Sequence, residues 1–319
     1  MVRKLSLILL FLLGISLIAP PSNAITAGTR GQISAATYKS CSYPPSNGNA
    51  KEIVNARSWT EQGFTTTHVK GVDVSMWQHP KSAKYPKGKP INFAKLKSQY
   101  GISFAFLKGS DGGGRDRGRS KYWFKKDRKA AKAQGLVVGA YHYAVPGQLG
   151  TGKMIAAKGS DAAAKAAASA SRRSDAKLQA KLAVTNALGN PKGDLPITLD
   201  FEERPCGWSW KQTAVWTKDF LLEVERLTGR KPMIYANGYF INKLVKVEVA
   251  GIDFSSYKLW VAMWGPKLGT TPKEVPIWKS EWTFWQFTSH GALKGVPVKR
   301  TDLNVFSGTL EDLNTLANS

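Results

Sequence analysis

The sequence predicts an α/β fold, a (β/α)8-like barrel with an irregular closing half, approximately (βα)5β3. Short runs of apolar alternation recur at eight places between His68 and Phe306, and segments of helical character follow the first five. The stretch 68–319 also has the length usual for one such barrel, about 250 residues. A doubly wound sheet is the competitor, but no glycine fingerprint follows the first strand.

The first strand is read in HVKGVDVS, with Val72 and Val74 on one face and Gly71, Asp73 and Ser75 on the other. A helix over Phe93–Tyr100 leads to strand two, Ile102–Lys108. A Gly/Arg loop at 111–119 precedes a basic amphipathic helix over about 121–134, and strand three is Val137–Val145. An Ala/Lys-rich segment, about 150–186, reads as an insertion; it has high helix propensity but almost no large apolar stripe before Leu178 and Leu182, so its first half reads as a solvated helix. Strand four lies in Leu195–Glu203, and a helix over Gln212–Leu227 leads to strand five, Pro232–Asn237. A short helical patch at Tyr239–Val245 precedes strand six, Lys258–Trp264. Beyond Trp264 the gaps are rich in Pro and Gly and show no helical period. Strands seven and eight are read at Trp282–Thr288 and Asp302–Phe306, with a terminal helix near Leu310–Leu316.

Ahead of the barrel, Arg3 and Lys4 precede an apolar run from Leu5 to Ala19, followed by Pro20, Pro21 and small residues ending at Ala24. This is the pattern of a secretory signal peptide over 1–24, and the run is shorter than the roughly 20 residues that span a bilayer. A secreted, extracellular or wall-associated monomer without stable membrane insertion is expected. Residues 25–67, rich in Ser, Thr, Gly and Asn, read as an extension or linker. Two cysteines, Cys41 and Cys206, suit one disulfide in an exported chain, with two free thiols as the alternative. Neither looks like a nucleophile or a metal ligand.

The formal net charge is +24, of which +22 remains once Arg3 and Lys4 are removed. Such a field favours a polyanion: nucleic acid, anionic lipid or an anionic wall polymer. Clustered Arg/aromatic RNA-binding signatures and zinc spacings are absent, so neither a nucleic-acid partner nor a metal is expected.

The chemistry gathers on strand four. In LPITLDFEE, Ile197, Leu199 and Phe201 alternate with Thr198, Asp200 and Glu202, so two carboxylates end one face while Glu203 turns away. Barrels of this type carry their functional groups at the C-terminal ends of the strands. That rule adds Asp73, Asp302, Tyr141, Tyr143, Trp264, and either Trp285 or Gln286. Several carboxylates in an aromatic-lined cup suit glycoside hydrolysis, in which one acid protonates the leaving oxygen. Crowded like charges raise a carboxyl's pKa, as a general acid near neutral pH requires. Tyr141 and Tyr143 fit either a core layer or sugar stacking, and the Trp residues divide similarly. His142, of opposite parity, reads as a core histidine.

The same residues carry a resemblance. GVDVSMWQ, FAFLKGSDG, GAYHYAVPG, PITLDFEE, MIYANG, LWVAMWG, FWQFTS and DLNVF occur in an order and spacing similar to family 25 glycoside hydrolases, the Chalaropsis-type lysozymes. The resemblance covers nearly all of 68–319. It implies a secreted N-acetylmuramidase that cleaves the β-1,4 bond between N-acetylmuramic acid and N-acetylglucosamine in peptidoglycan, with retention and without a cofactor. It implies Glu202 as general acid and Asp200 as the residue assisting the substrate's acetamido nucleophile. Asp73 and Asp302 complete the acidic cup. The chain departs from the family pattern where Asp111 follows Lys108-Gly109-Ser110 and where His79 follows Gln78. A chitinase-like glycosidase and a non-catalytic wall-binding protein on the same scaffold are the alternative readings.

Overall fold

A computed structural model describes residues 56–148, 162–264 and 282–319. Eight strands close into a barrel in sequence order. They are β1 (Val69–Val74), β2 (Ile102–Asp111), β3 (Val137–Tyr143), β4 (Asp194–Asp200), β5 (Met233–Asn237), β6 (Leu259–Ala262), β7 (Phe284–Gly291) and β8 (Thr301–Phe306). The first seven run parallel. β8 is antiparallel to both β7 and β1. The reason is length: a parallel return needs a crossover of about a dozen residues or more, and 292–300 is too short for one. The start of β8 therefore lies at the same barrel end as the C-termini of the other strands, which puts Asp302 opposite Asp73.

The helices are α1 (Trp59–Gln62), α2 (Phe93–Tyr100), α3 (Arg119–Lys132), α4 (Ala162–Asn186), α5 (Trp210–Thr228), α6 (Gly238–Val245) and α7 (Leu310–Asn318). α5 shows why such segments become helices. Ser209 and Gln212 form a capping box at its start, and Gly229 ends it at φ 68°, a left-handed conformation favourable to glycine. Between them Trp216, Phe220, Leu221 and Val224 form the face buried against the barrel.

Strand parity separates two apolar layers. Val72, Val74, Ile197, Leu199 and Phe201 face the helices. Phe104, Phe106, Tyr235, Trp260 and Phe284 fill the barrel interior, where Phe106 stacks on Trp260 with centroids 4.0 Å apart. Two glycines make room for this filling. A Cβ on Gly71 would lie 2.3 Å from the Phe104 ring, and one on Gly139 would lie 2.4 Å from the Phe106 ring.

Two expectations are corrected. Residues 56–67, read as the end of a linker, belong to the barrel. Trp59 is buried and donates its indole N–H to the Asn304 carbonyl oxygen at 2.8 Å, and Phe64 packs on Trp285 and Phe287. The segment read as an insertion is, from 162 on, α4, the helix between β3 and β4: it is exposed at Lys165, Ala166 and Ala167, as expected of its first half, while its second half packs on the barrel. Its buried stripe is alanine (Ala168, Ala176, Ala180, Ala183), while Leu178 is 45% exposed. Alanine lets α4 lie close to its neighbours, and polar ties replace large side chains. Asp175 accepts from the Trp216 indole at 2.6 Å and from Gly147 N at 2.7 Å, and Gln179 binds both the N–H and C=O of Val145. The leader at 1–24 and Cys41 lie outside the described residues, as do 149–161 and 265–281.

Trp59→Ala is expected to cost about 3–5 kcal/mol of unfolding free energy, the usual range for a buried aromatic truncated to alanine. Urea unfolding checks this, and a loss below about 1 kcal/mol would mean that 56–67 is not part of the core.

Candidate active site

At the rim, where the parallel strands end, strand register sets the acids in two pairs. Asp73 on β1 faces Asp302 on β8. Asp200 ends β4 between Tyr143 of β3 and Tyr235 of β5, with Glu202 two residues further on. All four interact: Glu202 raises the pKa of Asp73, Asp200 and Asp302 through its charge.

A layer of neutral donors supports Asp73. Its Oδ2 accepts from Gln286 Nε2 and from Asn304 Nδ2, both at 2.8 Å. The amides have no freedom to flip. An indole N–H only donates, so Trp260 Nε1 at 2.8 Å fixes Asn304 Oδ1 as an acceptor, and Trp264 Nε1 at 2.7 Å does the same for Gln286 Oε1. Tyr235 OH, 2.9 Å from Gln286 Oε1, adds a second donor there. Each amide thus turns its N–H toward Asp73.

Burial pushes the Asp73 carboxyl up to about 6, against the lowering effect of the two amides. Burial, then the charge of Asp73, pushes Asp302 well above the usual carboxylate range. Burial also raises Asp200, helped by the Glu202 charge, and raises Glu202. Asp200 and Glu202 hydrogen bond to each other, and buried Asp200 Oδ1 meets no N–H or hydroxyl donor. The pair therefore titrates as a unit and keeps one proton to higher pH than a lone carboxyl.

The nearest cation is held to one side. Lys108, on the inward parity of β2 after Phe104 and Phe106, pairs through Nζ with Asp111 and lies 4.4 Å from the centre of the Tyr143 ring. Arg115 pairs with the other Asp111 oxygen and lies 5.1 Å from the same ring. The Lys108 charge lowers Asp200 and Glu202, countering part of their burial. Tyr143 OH donates to Glu203 Oε1 at 2.6 Å.

Most sequence-predicted residues meet here: Asp73, Asp200, Glu202, Asp302, Tyr143, Trp264 and Gln286. Trp264 is 48% exposed and forms an open aromatic edge. Three readings change. Between Trp285 and Gln286 the structure selects Gln286. Trp285 is fully buried on the helix-facing side, its Nε1 donating to the Met263 carbonyl oxygen at 3.0 Å. Tyr141 lies inside the barrel, edge-on to Trp260, so its ring face is closed to a sugar. Glu203 does not turn away, because β4 stops at Asp200 and strand parity no longer governs it. His142 does face the helices as read. Its ring bonds Ser110 Oγ at 2.8 Å and Gln179 Oε1 at 3.1 Å, and burial lowers its pKa to about 4.

The sequence reading passed over Lys108, Tyr235, Trp260 and Asn304 as site residues. Asn304 had a signal, since it shares a face with Asp302 two residues earlier. Cys206 is disulfide-bonded. Among the described residues no group of three or more His, Cys, Asp and Glu is placed to hold a metal ion.

The family model described as "Glycosyl hydrolases family 25" matches residues 72–158 and 156–296. The chain belongs to that family. It is therefore a glycoside hydrolase. The chain is 29% identical over 261 residues to "Lysozyme M1" of Streptomyces globisporus, covering 80% of this chain and 73% of that protein. Among solved structures it is similar to a bacterial lysozyme from Streptomyces coelicolor, with 28% identity, a TM-score of 0.56 and coverage of 80% and 99% of the two chains. It is also similar to a family 25 lysozyme from Aspergillus fumigatus, with 25% identity, a TM-score of 0.53 and coverage of 79% and 100%.

A raised carboxyl stabilises the fold below its unfolded pKa and loses that contribution as pH rises through the folded one. For Asp73 the window runs from about 4 to about 6. Stability should fall across it, and Asp73→Asn should flatten the fall, leaving the share of the other three acids. Urea midpoints at pH 4, 5 and 6 test this. A parent and variant with equal slopes would contradict the burial of Asp73.

Proposed function

We propose that the protein is a secreted N-acetylmuramidase that cleaves the β-1,4 bond between N-acetylmuramic acid and N-acetylglucosamine in peptidoglycan, with retention of configuration. The observation that carries this is the gathering of Asp200 and Glu202, both raised by burial, at the barrel end that holds the paired Asp73 and Asp302 beside Trp264 and Tyr143. A glycosidase needs one proton at the leaving oxygen and negative charge near the anomeric carbon. A cup in which, among the described residues, acids outnumber the cations beside them retains the first and provides the second.

In this reading Glu202 protonates the departing oxygen. The substrate's own acetamido oxygen attacks the anomeric carbon, and Asp200, now ionised, orients the acetamido N–H and stabilises the positive oxazolinium ion. Water then opens that ion from the same face as the departed group, with Glu202 taking the proton, so two inversions give retention. Asp73 and Asp302 hold the sugar and keep the cup's charge high enough to maintain the proton on the pair. The relatives named as lysozymes support peptidoglycan as substrate. Secretion is supported by the pattern of residues 1–24 and by a disulfide at Cys206, a bond characteristic of oxidising compartments. Among the described residues no helix is long and apolar enough to cross a membrane.

Digestion of purified peptidoglycan followed by mass spectrometry of the products is the test, and muramic acid at the new reducing end is the expected result. Glucosamine at that end, or faster cleavage of chitin oligomers, would replace the muramidase reading with a glucosaminidase or chitinase one. Glu202→Gln is expected to lower turnover about 10²–10⁴-fold, the range supplied by general acid catalysis, while leaving the unfolding midpoint near the parent's. Near-parental turnover in that variant would remove Glu202 from the role.

A further inference from the structure

Residues 79–134 contain twelve lysines and four arginines against three aspartates, more than half of the chain's formal net charge of +24. All three aspartates have internal partners. Asp111 pairs with Lys108 and Arg115, Asp116 accepts from the backbone of Gly118 and Ser120, and Asp127 binds His79 Nε2 at 2.8 Å. The last contact organises the surface. His79 stacks flat on Trp123, with centroids 3.5 Å apart and planes 4° apart, and its Nδ1 bonds the Lys89 carbonyl oxygen at 2.9 Å. The 79–92 loop is thereby clamped onto α3, and the cations of both segments share one face.

On that face Lys81, Lys84 and Lys87 of the loop, and Lys125, Lys126 and Lys129 of α3, are exposed. Among the described residues none of these six has a carboxylate within ion-pair distance. Lys87 and Lys126 both lie over the Tyr122 ring, at 6.0 and 5.1 Å, so loop and helix cations are neighbours. The face continues toward the cup through Arg119, which lies 5.7 Å from the ring of Trp77, a side chain 66% exposed and four residues beyond Asp73. Uncompensated like charge of this density costs stability through self-repulsion, and a polyanionic partner removes that cost.

We propose that this face binds a linear phosphodiester polymer of the cell wall and holds the enzyme on its substrate. The proposal rests on the peptidoglycan reading above. The exposed cations of the loop and the α3 surface at Lys125, Lys126 and Lys129 are lysines, with Arg119 at the edge toward Trp77. A lysine ammonium is a compact point charge that binds phosphate without a fixed fork geometry, which suits a flexible polymer carrying one charge per phosphodiester. Nucleic acid fits less well, because the aromatic rings on this face are covered by cations rather than open for base stacking. Tyr122 lies under two lysines and Tyr85 under Lys84.

The test uses the full chain and a variant combining Lys84→Gln, Lys87→Gln, Lys125→Gln and Lys129→Gln. Both are co-sedimented with native walls and with walls whose phosphodiester polymers have been stripped by hydrofluoric acid, at ~50 and ~200 mM salt. The parent should bind native walls at least about tenfold more tightly than stripped ones. The variant should lose most of that difference, with a log–log salt slope shallower by about 3, four contacts at roughly 0.7 each. Its turnover of stripped walls should equal the parent's, which also shows that it folds. Equal binding of parent and variant to native walls would overturn the proposal, as would a parent that does not distinguish the two walls. Competition by duplex DNA as strong as by the isolated polymer at equal charge would overturn it in favour of nucleic acid. A parent that releases no reducing ends from stripped walls would count against the hydrolase reading, while the binding comparison still decides this one.

Discussion

Four carboxyl groups enclosed at one end of a barrel cannot all be ionised. Asp73 and Asp200 are cut off from water, the charges are alike, and each added negative charge raises the cost of the next. Among the described residues no lysine or arginine forms an ion pair with any of the four. The protein gives Asp73 two neutral amides, pairs Lys108 with Asp111, and leaves Asp200 and Glu202 raised by burial beside each other. A lysine paired directly with either acid would stabilise the ionised form and lower the pKa that a proton donor needs. The electrostatic strain is therefore the source of the chemistry, and the other features of the rim keep it in place.

The barrel makes the strain affordable by fixing each group from below. Trp260 fills the interior against Phe106 and, with its one polar atom, sets the amide of Asn304. Gln286 is set in the same way by Trp264 and Tyr235. Closure by an antiparallel last strand completes the arrangement. A parallel β8 would carry Asp302 and Asn304 in the opposite direction relative to the rim, whereas the short return after β7 turns the strand so that Asp302 meets Asp73.

Much of this was legible in the chain. Period-two alternation in VKGVDV and LPITLD placed Asp73 and Asp200 on the inward face, because a strand side chain has only two directions to choose from. The same rule sent His142 to the helices. It failed at Glu203, where the strand had ended and Tyr143 drew the carboxylate back. Parity was silent at Trp285 and Gln286, since two large neighbours each suit either face and the pairing of β7 decides between them. Composition misled at α4. Large apolar residues were taken as the mark of a packed helix, yet close approach through alanine, with Asp175 and Gln179 as polar ties, packs it as well.

The sequence by itself determined which residues alternate, how many strands there are, where the acids fall along them and how strongly positive the chain is, because these follow from local periodicity and from counting. Tertiary structure alone decided which acids face one another, which amides point their N–H groups at Asp73, and that the 79–92 loop shares a face with α3. Each of those depends on contacts between residues far apart in the chain, such as Asp73 with Asn304 and His79 with Asp127. The closing of the barrel and the docking of its loops set such distances, and no local pattern in the sequence encodes them.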